Sequence, residues 1–285
     1  MLEKIILLNC PAINATSSTQ FGFKSLMSTL HPLFLLKESI NKYEMEEKPL
    51  YIACLDSEKA YDSVWRAGLF YKLMNNITNQ FWYISRQYYN QSIGYFKIDG
   101  IMEEEEIVIE RGVKQGGVLS PQLFNFYIND LLERIQNTGL GIRCGNTNLP
   151  IMGYCDDIQI LAYLISELQK LVDMCNEYSK KWLMKFNVNK SMVMNVGYKV
   201  LNNEQIKIKI DNVLLPVVNE CKYLGLKIRE DNEDDNFLME KFRNIQKCAY
   251  SLNSYGLKPI VVNPEIKSFI YNTYCQPVAN YGLGI

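Results

Sequence analysis

The chain is 285 residues long, 48% hydrophobic and 21% charged, values of a folding globular protein that exclude a disordered, collagen-like or low-complexity chain. Its 30 basic and 31 acidic side chains leave a net charge of -1, so no overall basic excess is available to grip a nucleic-acid backbone. No apolar run approaches the roughly 20 residues of a membrane span, and Ile5-Ile6-Leu7-Leu8, short, preceded by Glu3 and broken by Asn9, argues against a signal peptide. The 8 cysteines contain no C-x-x-C pair and the only histidine is His31, which leaves no zinc-ligand spacing. Several sit in apolar runs, as Cys54 does, where a thiol behaves as a small buried hydrophobe. An intracellular protein with reduced thiols is the simplest reading. No internal repeat and no Pro, Gly or Ser linker divides the chain, so one principal unit is expected.

From Leu33 to Tyr43 apolar positions recur at helical spacing. After Pro49 an almost continuous apolar run ends at Asp56, the pattern of a strand covered on both faces that delivers a carboxylate at its end. A helical stretch follows through Leu69 and Leu73. A hairpin is then predicted, with Tyr95 to Ile98 as one arm, Asp99-Gly100 as the turn, a return through Ile107 to Ile109, and Glu103 to Glu106 as a solvated tip. Gly116-Gly117 breaks the chain again. Ser120 and Pro121 offer an N-cap and a first-turn proline for a helix from Gln122 to Ile135, whose stripe of Leu123, Phe124, Tyr127, Ile128, Leu131 and Leu132 suits packing on a sheet. A second apolar strand leads into Tyr154-Cys155-Asp156-Asp157, and Ile158, Ile160 and Leu161 continue as the return strand, which places Asp156 and Asp157 in a hairpin turn. A helix from Glu167 to Trp182, a strand from Ser191 to Val196, a hairpin around Asp211-Asn212 and a strand from Tyr223 to Ile228 complete an interleaved α+β pattern.

Asp56 at a strand end and Asp156-Asp157 in a turn are the features that carry chemistry. Crowded carboxylates raise one another's pKa values, so their convergence needs a neutralising cation. Mg²⁺, a hard ion that prefers oxygen ligands, supplies one, and two such ions about 3.5 to 4 Å apart can activate an attacking oxygen and stabilise a leaving one in phosphoryl transfer. The bland alternative is that each Asp merely ends a strand or makes a turn.

The company of these acids decides the matter. Gln20-Phe21-Gly22-Phe23-Lys24 with Ser28-Thr29, then Leu55-Asp56-Ser57-Glu58-Lys59-Ala60-Tyr61-Asp62-Ser63-Val64, resemble in order the first motifs of the reverse transcriptases of non-LTR, LINE-like retrotransposons. The block Arg111-Gly112-Val113-Lys114-Gln115-Gly116-Gly117-Val118-Leu119-Ser120-Pro121 resembles the next, and Tyr154-Cys155-Asp156-Asp157 is similar to the family's Y-A-D-D box. Phe186-Asn187 with Lys190, Tyr223-Leu224-Gly225, and Pro277-Val278 with Tyr281-Gly282 extend the match, which spans residues 20 to 283. The resemblance implies a right-hand polymerase palm, an α+β sheet of ferredoxin-like type with helices on one face. Residues 1–48 would be partial fingers, 49–228 the palm and 229–285 the start of a thumb.

By the same resemblance the reaction is RNA-directed DNA polymerisation, with an RNA template, a DNA primer and deoxynucleoside triphosphates as partners. Asp56, Asp156 and Asp157 would hold two Mg²⁺ ions, with Mn²⁺ as a substitute. Tyr61 matches an aromatic that stacks under the incoming sugar and excludes a 2′-hydroxyl; its alternative is a core aromatic. Gln115 and Gly116 match positions lining nucleotide and template; theirs is an ordinary tight turn. Lys190 matches a lysine that protonates pyrophosphate; its alternative is a solvated side chain. His31 matches no catalytic role.

Departures accompany the match. Leu26 and Met27 stand where the family has Gly and Arg, Leu183 replaces a glycine, Cys155 an alanine, and Pro32 falls where it is expected to disturb the following helix. The family's upstream finger motif is not found and the thumb barely begins, so the chain is expected to be cut short at both ends and to polymerise with little processivity. A catalytically silent palm that at most binds nucleic acid or a partner is the alternative. Nucleotide cyclases, another metal-dependent palm, lack the Q-G-G-x-L-S-P element.

Overall fold

The computed structural model describes all residues except 100, 103, 104, 146, 199, 230–233, 255, 257–261, 284 and 285. Its centre is a five-stranded sheet of β1 (Pro49–Asp56), β2 (Ile151–Tyr154), β3 (Asp157–Ala162), β4 (Met192–Gly197) and β5 (Val217–Val218), in the order β5-β4-β1-β3-β2. The four longer strands pair antiparallel throughout, while β5 joins β4 in parallel. Because β3 lies between β1 and β2, the crossover from β1 to β2 is split, the ferredoxin-like arrangement that the resemblance implied.

The helices are α1 (Leu2–Asn9), α2 (Leu30–Met45), α3 (Arg66–Leu73), α4 (Asn79–Asn90), α5 (Ser120–Gln136), α6 (Ile165–Lys181) and α7 (Asp234–Ser254), with shorter helical turns between and after them. Alternate residues of β1 feed two cores, as a pleated strand requires. Tyr51, Ala53 and Leu55 pack with Leu123, Phe124, Tyr127 and Leu131 of α5 and Leu168, Leu171 and Val172 of α6. Leu50 and Ile52 pack with Leu33, Leu36, Ile40 and Tyr43 of α2 and with Cys221, Tyr223 and Leu226 of the hairpin Glu220–Arg229. Helices therefore cover both faces, a correction to the one-faced layer expected. A strand apolar on both sides demands a cover on each. Full burial of side chains such as Phe124 and Leu131 stabilises by about 1.5 to 3 kcal/mol each.

Local chemistry explains where the other expectations shift. Pro32 lies in the first turn of α2, where a backbone N–H has no helical partner, so the helix runs through it undisturbed. His31 serves that end structurally, its Nδ1 accepting from the Ser28 N–H at 3.0 Å. Ser120 is not the cap of α5. Leu119 holds that place, Ser120 Oγ donates to the Lys114 carbonyl, and Glu3 of α1 accepts from the Leu119 N–H at 3.2 Å. A carboxylate there also complements the positive end of the helix dipole. The predicted hairpin is two short ladders, Ile93-Gly94 with Ile107-Val108 and Lys97-Ile98 with Ile101-Met102. The turn falls at Asp99 (φ +50°), as expected. Of the acidic run, Glu105 and Glu106 are exposed and directly precede the Ile107-Val108 arm rather than forming the tip, while Gly100, Glu103 and Glu104 lie outside the described residues. Helix α4, not foreseen, buries Ser85 and Tyr89.

Two left-handed positions bear on the departures noted in the sequence. Leu26 and Leu183, both replacing family glycines, have φ of +64° and +53°. Each leucine bears a backbone conformation that favours glycine, at a cost of about 1 to 2 kcal/mol apiece. Beneath α6, Lys72 is inserted among aromatic rings, its Nζ lying 3.8 Å from the centroid of Trp182 and bonded to Asp130 and to the Tyr178 hydroxyl. Burial lowers its pKa to about 8, against the opposing pull of Asp130. No helix among the described residues is long and apolar enough to cross a membrane, and the eight cysteines are free thiols.

Candidate active site

The register of β1 and β3 places Asp56 and Asp157 directly opposite one another, as Cα partners of an antiparallel pair. Both follow the sheet face that carries Cys54 and Gln159, whose Sγ and Oε1 meet at 3.0 Å. The turn between β2 and β3 consists of Cys155 and Asp156. Asp157 is not in it but is the first residue of β3, paired with Tyr154. The acids register one another electrostatically. Lost hydration raises the Asp156 carboxyl, with Asp56 adding to the rise. The Asp157 carboxyl is pushed up to about 6, first by lost hydration and then by the charges of Asp156 and Asp56. Asp157 is exposed at one edge, so water and salt screen part of this repulsion.

Among the described residues no three His, Cys, Asp or Glu side chains form a ready-made metal cage. Mg²⁺ is ordinarily held by one or two carboxylates together with substrate phosphates and water rather than by an all-protein cage. Asp157, its carboxyl raised in part by the charges of Asp156 and Asp56 and set opposite Asp56 at the strand ends, fits that mode, because a hard cation removes the repulsion.

Each acidic segment is braced. The Asp56 N–H donates to Ser191 Oγ at 3.2 Å, its carbonyl accepts from the Asn187 N–H at 2.8 Å, and the Glu58 N–H donates to the Lys185 carbonyl at 2.8 Å. This ties the segment Lys185–Ser191 to the end of β1 and brings the backbone of Lys190 alongside; the Lys190 side chain itself is exposed. On the other side Gln20, fully buried, clamps the acidic turn. Its Oε1 accepts from the Cys155 N–H at 2.9 Å and from the Gly22 N–H at 3.0 Å. Phe21 and Thr19 bond to both sides of Gly153, and Asn125 Nδ2 donates to the Gly22 carbonyl at 2.7 Å. A Cβ on Gly22 would lie 2.5 Å from the Cys155 nitrogen, so only glycine lets this segment approach. Cys155, the first residue of this two-residue hairpin turn, stands at φ +57°, as tight turns of this length favour.

Tyr61 is half-buried. Its ring packs on Phe124 at a centroid distance of 5.6 Å, and its hydroxyl lies 3.1 Å from Cys155 Sγ. Burial, with Cys155 and Asp156 adding, pushes the phenol well above its ordinary range. The ring is thus anchored in the core while its hydroxyl stands beside the acidic turn. Its carbonyl accepts from the Val113 N–H at 2.8 Å, linking it to the glycine loop. Gln115 and Gly116 in that loop are exposed, Gln115 Nε2 donating to Asp62 at 2.8 Å and Gly116 standing at φ +78°. Gln115 lines a cavity of about 410 Å³ with Asp62, Arg66 and Lys114. The structure thus gathers Asp56, Asp156, Asp157 and Tyr61 at one sheet end, with the Lys190 backbone beside them, and puts Gln115 and Gly116 on the flank. Gln20, Ser191 and Asn187 were not singled out from sequence. Only the position of Gln20 and Asn187 inside matched motifs signalled them.

Known proteins resemble this chain in sequence and in fold. Residues 1–228 match the family described as reverse transcriptase (RNA-dependent DNA polymerase). The Pol polyprotein of the type-1 retrotransposable element R2 of Popillia japonica is 27% identical over 241 residues, covering 79% of this chain and 33% of that protein. The RNA-directed DNA polymerase from the mobile element jockey of Drosophila funebris is 28% identical over 237 residues, 79% of this chain and 25% of its own length. The chain thus spans a quarter to a third of the length of these relatives. Telomerase from Candida tropicalis, solved with a fragment of telomeric RNA, superposes with a TM-score of 0.56 at 13% identity over 80% of this chain and 35% of that one, a likeness of fold. With matched motifs, sheet order and opposed acids in one place, the chain belongs to the reverse transcriptase (RNA-dependent DNA polymerase) family.

Proposed function

We propose that this chain is the nucleotidyl-transfer region of an RNA-directed DNA polymerase of the non-LTR retrotransposon kind, extending a DNA primer on an RNA template from deoxynucleoside triphosphates. Residues 49–228 would form the palm, 1–48 part of the fingers, with α2 packed on the sheet, and 229–285 the beginning of the thumb. The observation that carries the reading is the placement of Asp56 opposite Asp157 with Asp156 in the adjoining turn. Asp56 and Asp156, with Asp157 in support, would hold two Mg²⁺ ions, which when bound lower the pKa of an attacking hydroxyl and neutralise charge on the leaving oxygen. Mn²⁺ would substitute. Ser191 and Gln20 fix the two acidic segments in place, and preorganisation of this kind is what aligns reactants. Tyr61 would lie against the incoming sugar and reject a 2′-hydroxyl, Gln115 and Gly116 would border nucleotide and template, and Lys190 would give a proton to the departing pyrophosphate. The setting is intracellular.

Primer extension tests this. Purified protein, an RNA template, a labelled DNA primer and Mg²⁺ should yield slow addition of a few nucleotides that Asp156→Asn abolishes. The near-neutral charge favours weak, salt-sensitive template grip and little processivity. No incorporation with either Mg²⁺ or Mn²⁺ by folded protein would support the silent palm instead.

A further inference from the structure

We infer that two cavities meeting at Arg111, on the flank of the acidic centre, form a track for the sugar-phosphate backbone of a single-stranded nucleic acid. The first, of about 410 Å³, is lined by Asp62, Arg66, Arg111, Lys114 and Gln115. The second, of about 450 Å³, lies between the end of α6 and the segment after it, lined by Arg111, Lys180, Leu183, Lys185, Phe186 and Asp211. Arg111 is the hinge between them. The second cavity abuts the end of β1, because Glu58 bonds to Lys185 and Ser57 bridges to Phe186.

The charges in the track are unequal. Asp211 is neutralised by Lys180 at 2.5 Å, whereas Asp62, bonded by the neutral amide of Gln115, keeps its charge at one side of the track. Arg66 is buried and spends its guanidinium on the carbonyls of Gly112, Tyr89 and Ile109. Against that single negative charge stand Arg111, Lys114 and Lys185. Among the described residues none of the three has a carboxylate within ion-pair distance, and Lys114 rests its ammonium 3.6 Å from the Tyr88 ring centroid. In a chain of net charge -1 these are a local surplus.

Their spacing speaks for a strand. A small anion wants its cations converged on one point, whereas these lie on the glycine loop and on the segment after α6, spread over two adjoining cavities. A phosphodiester chain carries charge at regular intervals and uses such a groove, with apolar side chains like Leu183 and Phe186 facing sugars and bases. The inference rests on the polymerase reading only in choosing a nucleic-acid strand over another polyanion.

The test is fluorescence anisotropy of the intact chain with labelled single-stranded RNA of about 20 nucleotides, and DNA of the same sequence, over a salt series. Arg111→Gln with Lys185→Gln should weaken binding about 5- to 10-fold at low salt. It should also reduce the slope of log affinity against log salt by about 1.4, two contacts at about 0.7 each. The control Lys4→Gln with Lys170→Gln removes the same charge elsewhere and should leave the slope unchanged. Both replaced residues of the test pair are exposed, so an unchanged melting temperature is expected and verifies folding. Equal losses in test and control, or none in the test pair, would overturn the track. So would stoichiometric displacement of the strand by tripolyphosphate at micromolar concentration, which would mark a small-anion site. Preferential loss of RNA or of DNA binding would identify the strand. A chain that binds in this manner without extending a primer would sink the polymerase reading and leave the track standing; one that extends while the test pair binds normally would do the reverse.

Discussion

At the ends of β1 and β3 each acidic segment is tied to partners from distant parts of the chain, Asp56 through Ser191 and Asn187 and the Cys155 turn through buried Gln20. In the loop from Arg111 to Gly117, by contrast, Gln115 and Gly116 are exposed, and Gln115 makes one side-chain bond, to Asp62. The difference follows from what each is asked to hold. Carboxylates that share a cation must be fixed to fractions of an ångström, whereas residues that meet successive template and nucleotide positions gain from adjustment.

The largest expected effect separates the two regions by rate. Asp56→Asn should reduce extension at least about 1,000-fold, the equivalent of about 4 kcal/mol, with no loss of stability because it removes a repelling charge. Next comes a test of a charge buried outside both regions. The pKa of Lys72 is lowered in the folded state to about 8, so its charged form opposes folding. Below pH 8 both folded and unfolded chains carry the proton and the cost is full. As pH rises from 8 towards 10.5 the folded chain releases it first, and the contribution of Lys72 to stability should rise by at most about 3 kcal/mol. Chemical denaturation across that range, with Lys72→Met as the reference that cancels the other titrating groups, measures it as the difference between the two curves; a wild-type curve parallel to the variant's contradicts the burial argument.

Gln20→Ala against Gln115→Ala sharpens the comparison directly. Loss of the clamp leaves two amides unpartnered, so Gln20→Ala should cost about 2 kcal/mol in stability and lower kcat about tenfold with KM little changed. Gln115→Ala should leave stability within about 0.5 kcal/mol and act on KM. Matching kinetic profiles for the two would erase the distinction between braced and adaptable regions. The smallest effect is on the left-handed leucines. Leu26→Gly should stabilise by about 0.5 to 1 kcal/mol, since its side chain is solvent-exposed and only the strain is removed. Leu183→Gly should gain less, because Leu183 also lines the cavity with Phe186.

Much of the scaffold was legible because its signals are local. The apolar run of β1, the stripe of α5 and the β2–β3 hairpin each lie within one short window, and the family resemblance gave their spatial order. What was not legible depends on partners far away in sequence. Glu3 takes over the capping expected of Ser120 from 116 residues upstream of Leu119, and Gln20 reaches Cys155 across 135 residues. The one-residue shift that puts Asp157 in β3 rather than in the turn is set by pairing with Asp56. Helix α4 was missed because polar Asn79, Gln80, Ser85, Gln87 and Asn90 dilute the spacing of its aromatic residues. Leu26 and Leu183 were flagged only as departures from family glycines; that their backbone stays left-handed needed the structure.

The claim on which the rest depends is that the ends of β1 and β3 hold a divalent cation jointly. Electron paramagnetic resonance of Mn²⁺ titrated into the intact chain at neutral pH tests it without requiring catalysis. Wild-type protein should remove Mn²⁺ from the free-ion signal, Mg²⁺ should compete, and Asp56→Asn and Asp157→Asn should each weaken binding at least tenfold, while Asp62→Asn on the glycine-loop flank should leave it unchanged. Undiminished binding in both strand-end variants, in protein that melts as the wild type does, would contradict it.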